Sequence, residues 1–141
     1  MATDFSPLPC QLHSCQNWTT NSRFISGVCG GVLNHPGEAM GYRVSWQNYA
    51  VAYTTDTENF NDRLDRNVLE LADRSDVLID DSTYTDQAAQ VKQLVIFHHY
   101  PTHNDEFMDA IEIQSQPVFA GSIVAREGMK ILVNQGISIA C

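Results

Sequence analysis

Tyr49-Ala50-Val51-Ala52-Tyr53-Thr54-Thr55-Asp56-Thr57-Glu58 is the stretch on which the reading of the fold turns. Its alternation predicts a β-strand with two distinct faces. The strand closes on an acid, Asp56, which it delivers to the edge of a sheet. Just upstream, Gly41-Tyr42-Arg43-Val44-Ser45-Trp46 alternates in the same way, and the intervening Gln47-Asn48 predicts a hairpin turn. Downstream, Val77-Leu78-Ile79 ends in Asp80-Asp81, and Gln93-Leu94-Val95-Ile96-Phe97 ends in His98-His99. Short continuous apolar runs of this kind suit strands covered on both faces.

The helices follow from a different period. Leu64, Val68, Leu71 and Ala72 recur at i, i+4, i+7 and i+8, which predicts an amphipathic helix of about four turns. Asp62/Arg66 and Glu70/Arg74 are spaced as surface ion pairs along it. Asn104 is placed to cap a second helix carrying Phe107, Met108 and Ile111. Residues 118–125 and 129–133 read as two closing strands around Gly128. Between Ser82 and Gln90 the chain is too short for a full helical crossover. Residues 1–31, rich in Ser, Thr, Asn, Gln, Cys and Gly, show no sustained period and read as a loop-rich leader. No internal repeat is present.

At 141 residues the chain fits one domain, residues 1–141, with a core of ordinary size. With 43% hydrophobic and 18% charged residues it has the composition of a globular protein, and no apolar run reaches bilayer-spanning length. Met1-Ala2-Thr3-Asp4-Phe5-Ser6-Pro7 lacks the basic and apolar regions of a secretory signal, so the expected location is the cytoplasm and no membrane partner is expected. A net charge of −9 argues against nucleic-acid binding, because little Lys or Arg is present to neutralise phosphates. If a phosphate ester is the substrate, metal ions must bring the positive charge. Cys10, His13, Cys15 and Cys29 allow a structural zinc reading, but their spacing is not that of paired Cys-x2-Cys ribbons and unpaired thiols are the simpler expectation. Asn17-Trp18-Thr19 matches a glycosylation sequon, which matters only in a secreted chain.

Several blocks, taken in order, resemble the C-terminal half of metallo-β-lactamase-fold hydrolases, in the branch with ribonuclease Z and its phosphodiesterase-like relatives. They are Asn34-His35-Pro36-Gly37 with Gly41-Tyr42-Arg43, then Tyr53-Thr54-Thr55-Asp56-Thr57-Glu58. Ala72-Asp73-Arg74-Ser75-Asp76-Val77-Leu78-Ile79-Asp80-Asp81-Ser82-Thr83-Tyr84-Thr85-Asp86 follows, and then Leu94-Val95-Ile96-Phe97-His98-His99-Tyr100-Pro101-Thr102-His103-Asn104-Asp105. Ala125-Arg126-Glu127-Gly128-Met129 is similar to the family's last hairpin, so the likeness spans residues 33–130.

The resemblance implies an α/β fold, roughly half of the αβ/βα sandwich: a mixed sheet with helices on one face. It implies His35 on one zinc, Asp56 bridging two, and His98 on the other, with His99, Asp80 and Asp81 orienting the ligands by hydrogen bonds. Nitrogen and oxygen donors of this kind suit zinc or manganese. Read without the family, His98-His99 is a packed neutral pair, Asp80-Asp81 a solvated turn and His103 a surface group. Two departures bear on activity. No segment matches His-x-His-x-Asp-His, which carries most of the family's remaining ligands, and no Gly-His-Ser/Thr element stands between Thr85 and Gln93. The expectation is therefore a metal-dependent hydrolase of phosphodiester bonds, in small-molecule or nucleotide-type substrates, truncated and weak or inactive alone. The alternative is a non-catalytic assembly subunit that pairs with a second copy or with another chain completing the fold.

Overall fold

The computed structural model describes residues 12–16 (as backbone), 27–58, 65–81, 90–97, 102–133 and 137–140. Four antiparallel strands come first: β1 (Leu12–Gln16), β2 (Gly27–Val32), β3 (Met40–Trp46) and β4 (Tyr49–Tyr53). The direction then changes. β5 (Val77–Asp80), β6 (Gln93–Ile96) and β7 (Ser122–Val124) run parallel to β4 and to one another, so the seven strands lie side by side in chain order. The helix α1 (Arg66–Ala72) links β4 to β5, and α2 (Asp105–Ser115) links β6 to β7.

The hairpin β3–β4 forms where the alternation places it, turning at Gln47 in a left-handed conformation, with Trp46 and Tyr49 stacked at 5.8 Å. Its two faces have different fates. Ala50 and Ala52 are buried, Ala52 in a cluster with Leu78, Leu94, Ile96 and Val124 on which Leu69 of α1 and Met108 and Ile111 of α2 pack. Both helices therefore cover one face of a mixed sheet, as the sequence led us to expect. Gly41 lets α1 approach β3, since a Cβ there would stand 2.8 Å from Leu71 and 2.9 Å from Leu33. Arg43, on the same face, donates to the carbonyls of Leu71 and Asp73 at 2.7 and 2.8 Å. These bonds satisfy acceptors that the end of α1 would leave orphaned.

Several elements differ from the sequence reading. The leader contains two strands, β1 and β2. Glycine-rich β2 is supported by its partner, because Gly30 sits opposite Tyr42 and close beneath its ring, a way of covering a glycine in a strand. The described α1 has seven residues rather than about four turns; Arg66 pairs with Glu70 at 3.0 Å, and Arg74 lies past the helix end with φ 51°. Leu64 and Asp62 fall outside the described residues. Finally, the two closing strands do not pair with each other. β7 joins the main sheet, whereas β8 (Lys130–Val133) pairs with β9 (Ile137–Ala140) in a separate hairpin, after a turn at Gly128 with φ 80°.

Candidate metal centre at the strand ends

Parallel strands β4, β5 and β6 end together at one edge of the sheet, the edge at which open α/β sheets place their ligands. Thr54-Thr55-Asp56 follows β4, Asp80-Asp81 closes β5 and Phe97 follows β6. Asp56 takes φ 68°, a left-handed conformation that Asp tolerates better than most residues. Its backbone N–H donates to Asp81 Oδ2 at 2.9 Å, and the Asp81 N–H in turn donates to Asp80 Oδ1 at 2.9 Å. Asp80 is fully buried, so the neighbouring strand end braces the turn that presents Asp56.

His35 arrives from the loop between β2 and β3. Leu33 N–H donates to Ala39 O at 2.8 Å and Glu38 N–H to His35 O at 3.1 Å, closing a turn through Pro36 and Gly37. Asn34 ties that turn to the Asp56 loop: its side chain donates to Glu58 O at 2.8 Å, and Glu58 N–H donates to Asn34 O at 2.7 Å. Asn34 N–H also donates to Asp65 Oδ2 at 2.7 Å, while Asp65 Oδ1 caps α1 through Asn67 N–H at 2.8 Å. One aspartate thus anchors a helix start and a site loop together.

The outcome is a paired imidazole and carboxylate, with His35 Nε2 3.6 Å from Asp56 Oδ1 and both side chains partly open to solvent. The ring is oriented from behind by Gly37, whose N–H donates to Nδ1 at 3.0 Å; a Cβ at Gly37 would stand 3.2 Å from that nitrogen. Because Nδ1 accepts, a neutral His35 carries its proton on Nε2, facing Asp56.

A divalent ion fits between these two groups by spacing. Zinc–nitrogen and zinc–oxygen bonds of about 2.0–2.2 Å place tetrahedral neighbours a little over ~3 Å apart, close to the separation of Nε2 and Oδ1. Among the described residues no group of three or more His, Cys, Asp or Glu side chains forms a metal cage. His98 and His99, the other expected members, follow Phe97 in the chain and lie outside the described residues. The His103 ring lies 4.0 Å from that of Phe107 at the start of α2. Cys29 is disulfide-bonded and sits opposite Cys15 in the β1–β2 register. A thiol in that state is neither a zinc ligand nor one of the unpaired thiols expected from the sequence.

At the other end of the parallel strands, Asp76 accepts from Ala50 N–H at 2.7 Å and from Lys92 Nζ at 2.6 Å. Burial pushes the Asp76 carboxyl up, but the bonds from Lys92 and Ala50, with the charges of Lys92 and Arg43, outweigh it and hold it below the usual aspartate value. The hydrogen bond to Asp76 raises the Lys92 ammonium correspondingly. This pair clamps β4 to the loops entering β5 and β6, away from His35 and Asp56.

The mixed sheet with helices on one face is an α/β architecture of the metallo-β-lactamase fold. A solved structure of the metallo-β-lactamase fold protein YhfI from Bacillus subtilis is similar to it, with a TM-score of 0.60 and 17% identity over 86% of this chain. This chain spans 52% of that one, so the likeness concerns about half of the solved relative. No protein-family model matches the sequence, and no curated protein matches it.

Proposed function

We propose that the chain is a metal-dependent hydrolase domain acting on phosphodiester bonds, in which two divalent ions would share Asp56, with His35 the further ligand of one and His98 that of the other. The approach of His35 Nε2 to Asp56 Oδ1 at 3.6 Å, between segments 21 residues apart in the chain, carries this reading. When bound, zinc or manganese supplies a Lewis acid and an acidified water for attack on phosphorus.

The residues prepare for it in identifiable ways. Asn34 fixes the two loops against each other, and the Asp81 carboxylate holds the backbone of Asp56 in its left-handed turn. The Gly37 N–H orients the imidazole while Nε2 carries the proton. Ligation through Nε2 requires that nitrogen to give up its proton; when the proton moves to Nδ1, the bond from the Gly37 N–H is lost and the turn at residues 35–38 relaxes. With two protein ligands on each ion, against the three usual for catalytic zinc, weak metal retention and low turnover are expected of the chain alone.

The test joins metal content with hydrolysis of bis(p-nitrophenyl) phosphate, with and without added zinc or manganese. Metal-stimulated turnover lost in Asp56→Ala supports the reading. Turnover without added metal that survives Asp56→Ala refutes it, and an equivalent or more of zinc retained through dialysis refutes weak retention.

A further inference from the structure

Three of the six residues of β2 are glycine, so the strand brings little side-chain material to hold it in place. It pairs with β3 on one side and β1 on the other. Among the described strands, β1 is outermost in the main sheet and pairs with β2 alone. A strand held by one ladder of backbone bonds opens readily when nothing else fastens it.

Cys29 supplies a fastening. It stands opposite Arg43, which donates to the end of α1, and it packs against the cluster of Leu33, Val68 and Leu71 on the helix-covered side. It is also disulfide-bonded. The residue directly opposite it on β1 is Cys15. Opposed residues of an antiparallel pair share a face with their Cα atoms about 4.5–5.5 Å apart, inside the roughly 4.4–6.8 Å that a disulfide spans. Of the other cysteines, Cys10 precedes β1 in the chain and Cys141 follows β9.

The cluster that receives Cys29 also starts the His35 loop. Leu33 is buried in it, and its N–H donates to Ala39 O to close the turn through His35. Asn67 of α1 donates to Val32 O at 2.6 Å, which binds the end of β2 to the same helix.

We infer that Cys15 and Cys29 form a disulfide staple whose reduction releases β1 and loosens the His35 loop, giving the site a redox control. The reductant is a dithiol. One of its thiolates attacks a sulfur of the bridge, and the second then resolves the mixed disulfide; two electrons and two protons pass to the protein, leaving two cysteine thiols and a cyclic disulfide. Where disulfides occur in reducing compartments they are usually catalytic or redox-sensing. The bearing on catalysis rests on the metal reading, whereas the release of β1 does not.

Non-reducing peptide mapping, with hydrogen exchange read by mass spectrometry before and after dithiothreitol, tests this on the whole chain. A linked peptide joining Cys15 to Cys29 is expected. After reduction, amide exchange at residues 12–16 should accelerate by about 100-fold, the value chain entropy gives for a loop of about 15 residues. A smaller acceleration is expected at residues 33–39 and none at 77–80 or 93–96. The double variant Cys15→Ser with Cys29→Ser should show the reduced pattern and no response to dithiothreitol. Cys29 found free, or linked to Cys10 or Cys141, overturns the proposal. So does unchanged exchange at 12–16 or 33–39 in the reduced chain, and so does a uniform acceleration that includes β5 and β6, which marks general unfolding rather than release of one strand. Absence of phosphodiester turnover in both redox states counts against the metal reading alone, because the exchange pattern reads the staple without it.

Discussion

Asn34→Ala removes the amide that donates to Glu58 O, one of the bonds joining the His35 turn to the Asp56 loop. The bond is partly exposed, so the expected stability loss is about 1 kcal/mol. The loss of metal-stimulated activity should be larger, because His35 and Asp56 then no longer hold a fixed separation. Urea unfolding beside the phosphodiesterase assay separates the two effects; equal losses would mean that Asn34 is only structural. The sequence nominated Asp56 as the acid closing a strand and His35 through the family resemblance. It did not nominate Asn34. Its partners Glu58 and Asp65 are 24 and 31 residues away, and no local period reveals a bond of that span. The tautomer of His35 was equally hidden, since the backbone turn at Gly37 decides it.

Among the elements, α1 rests on Asp65, which caps its first turn and also accepts from Asn34. Asp65→Ala should cost about 1–2 kcal/mol, seen as a lower urea midpoint, and should loosen the His35 loop with it. The parallel strands depend on the Asp76 clamp, and this gives their stability a pH signature. A carboxylate held below its unfolded value of about 3.9 stabilises the fold fully above that pH and loses the contribution as pH falls through the folded value. Acid titration of unfolding free energy should therefore drop below pH ~4, and Asp76→Asn should be less stable at neutral pH and flatter through the acid range. A parallel drop in the variant would assign the acid sensitivity to other carboxylates. The hairpin β3–β4, the short strands β5 and β6 and the cap of α2 were readable, since period and capping are local properties. β2 was not, because three of its six residues are glycine and its order derives from Tyr42 and its neighbours across the sheet.

At the scale of the molecule, the helix-covered side of the sheet holds a tightly sealed core. Leu71 and Leu78 are at 1% and 0% exposure on the helix side, and Leu71→Ala should cost about 2–5 kcal/mol in chemical denaturation. The other side is apolar, exposed at Tyr42 (46%) and Tyr53 (39%) but buried at Val77 and Val95. Local pattern by itself determined the hairpin β3–β4, the short strands β5 and β6 and the cap of α2, because side-chain period and turn chemistry act over a few residues, whereas the mixed α/β class and the paired acid and imidazole came with the family resemblance. Tertiary structure alone decided that β8 pairs with β9 rather than β7 and that Asn34 joins two distant loops. Those outcomes depend on register and packing between segments far apart in the chain, where the energy lies in contacts that no short window of sequence contains.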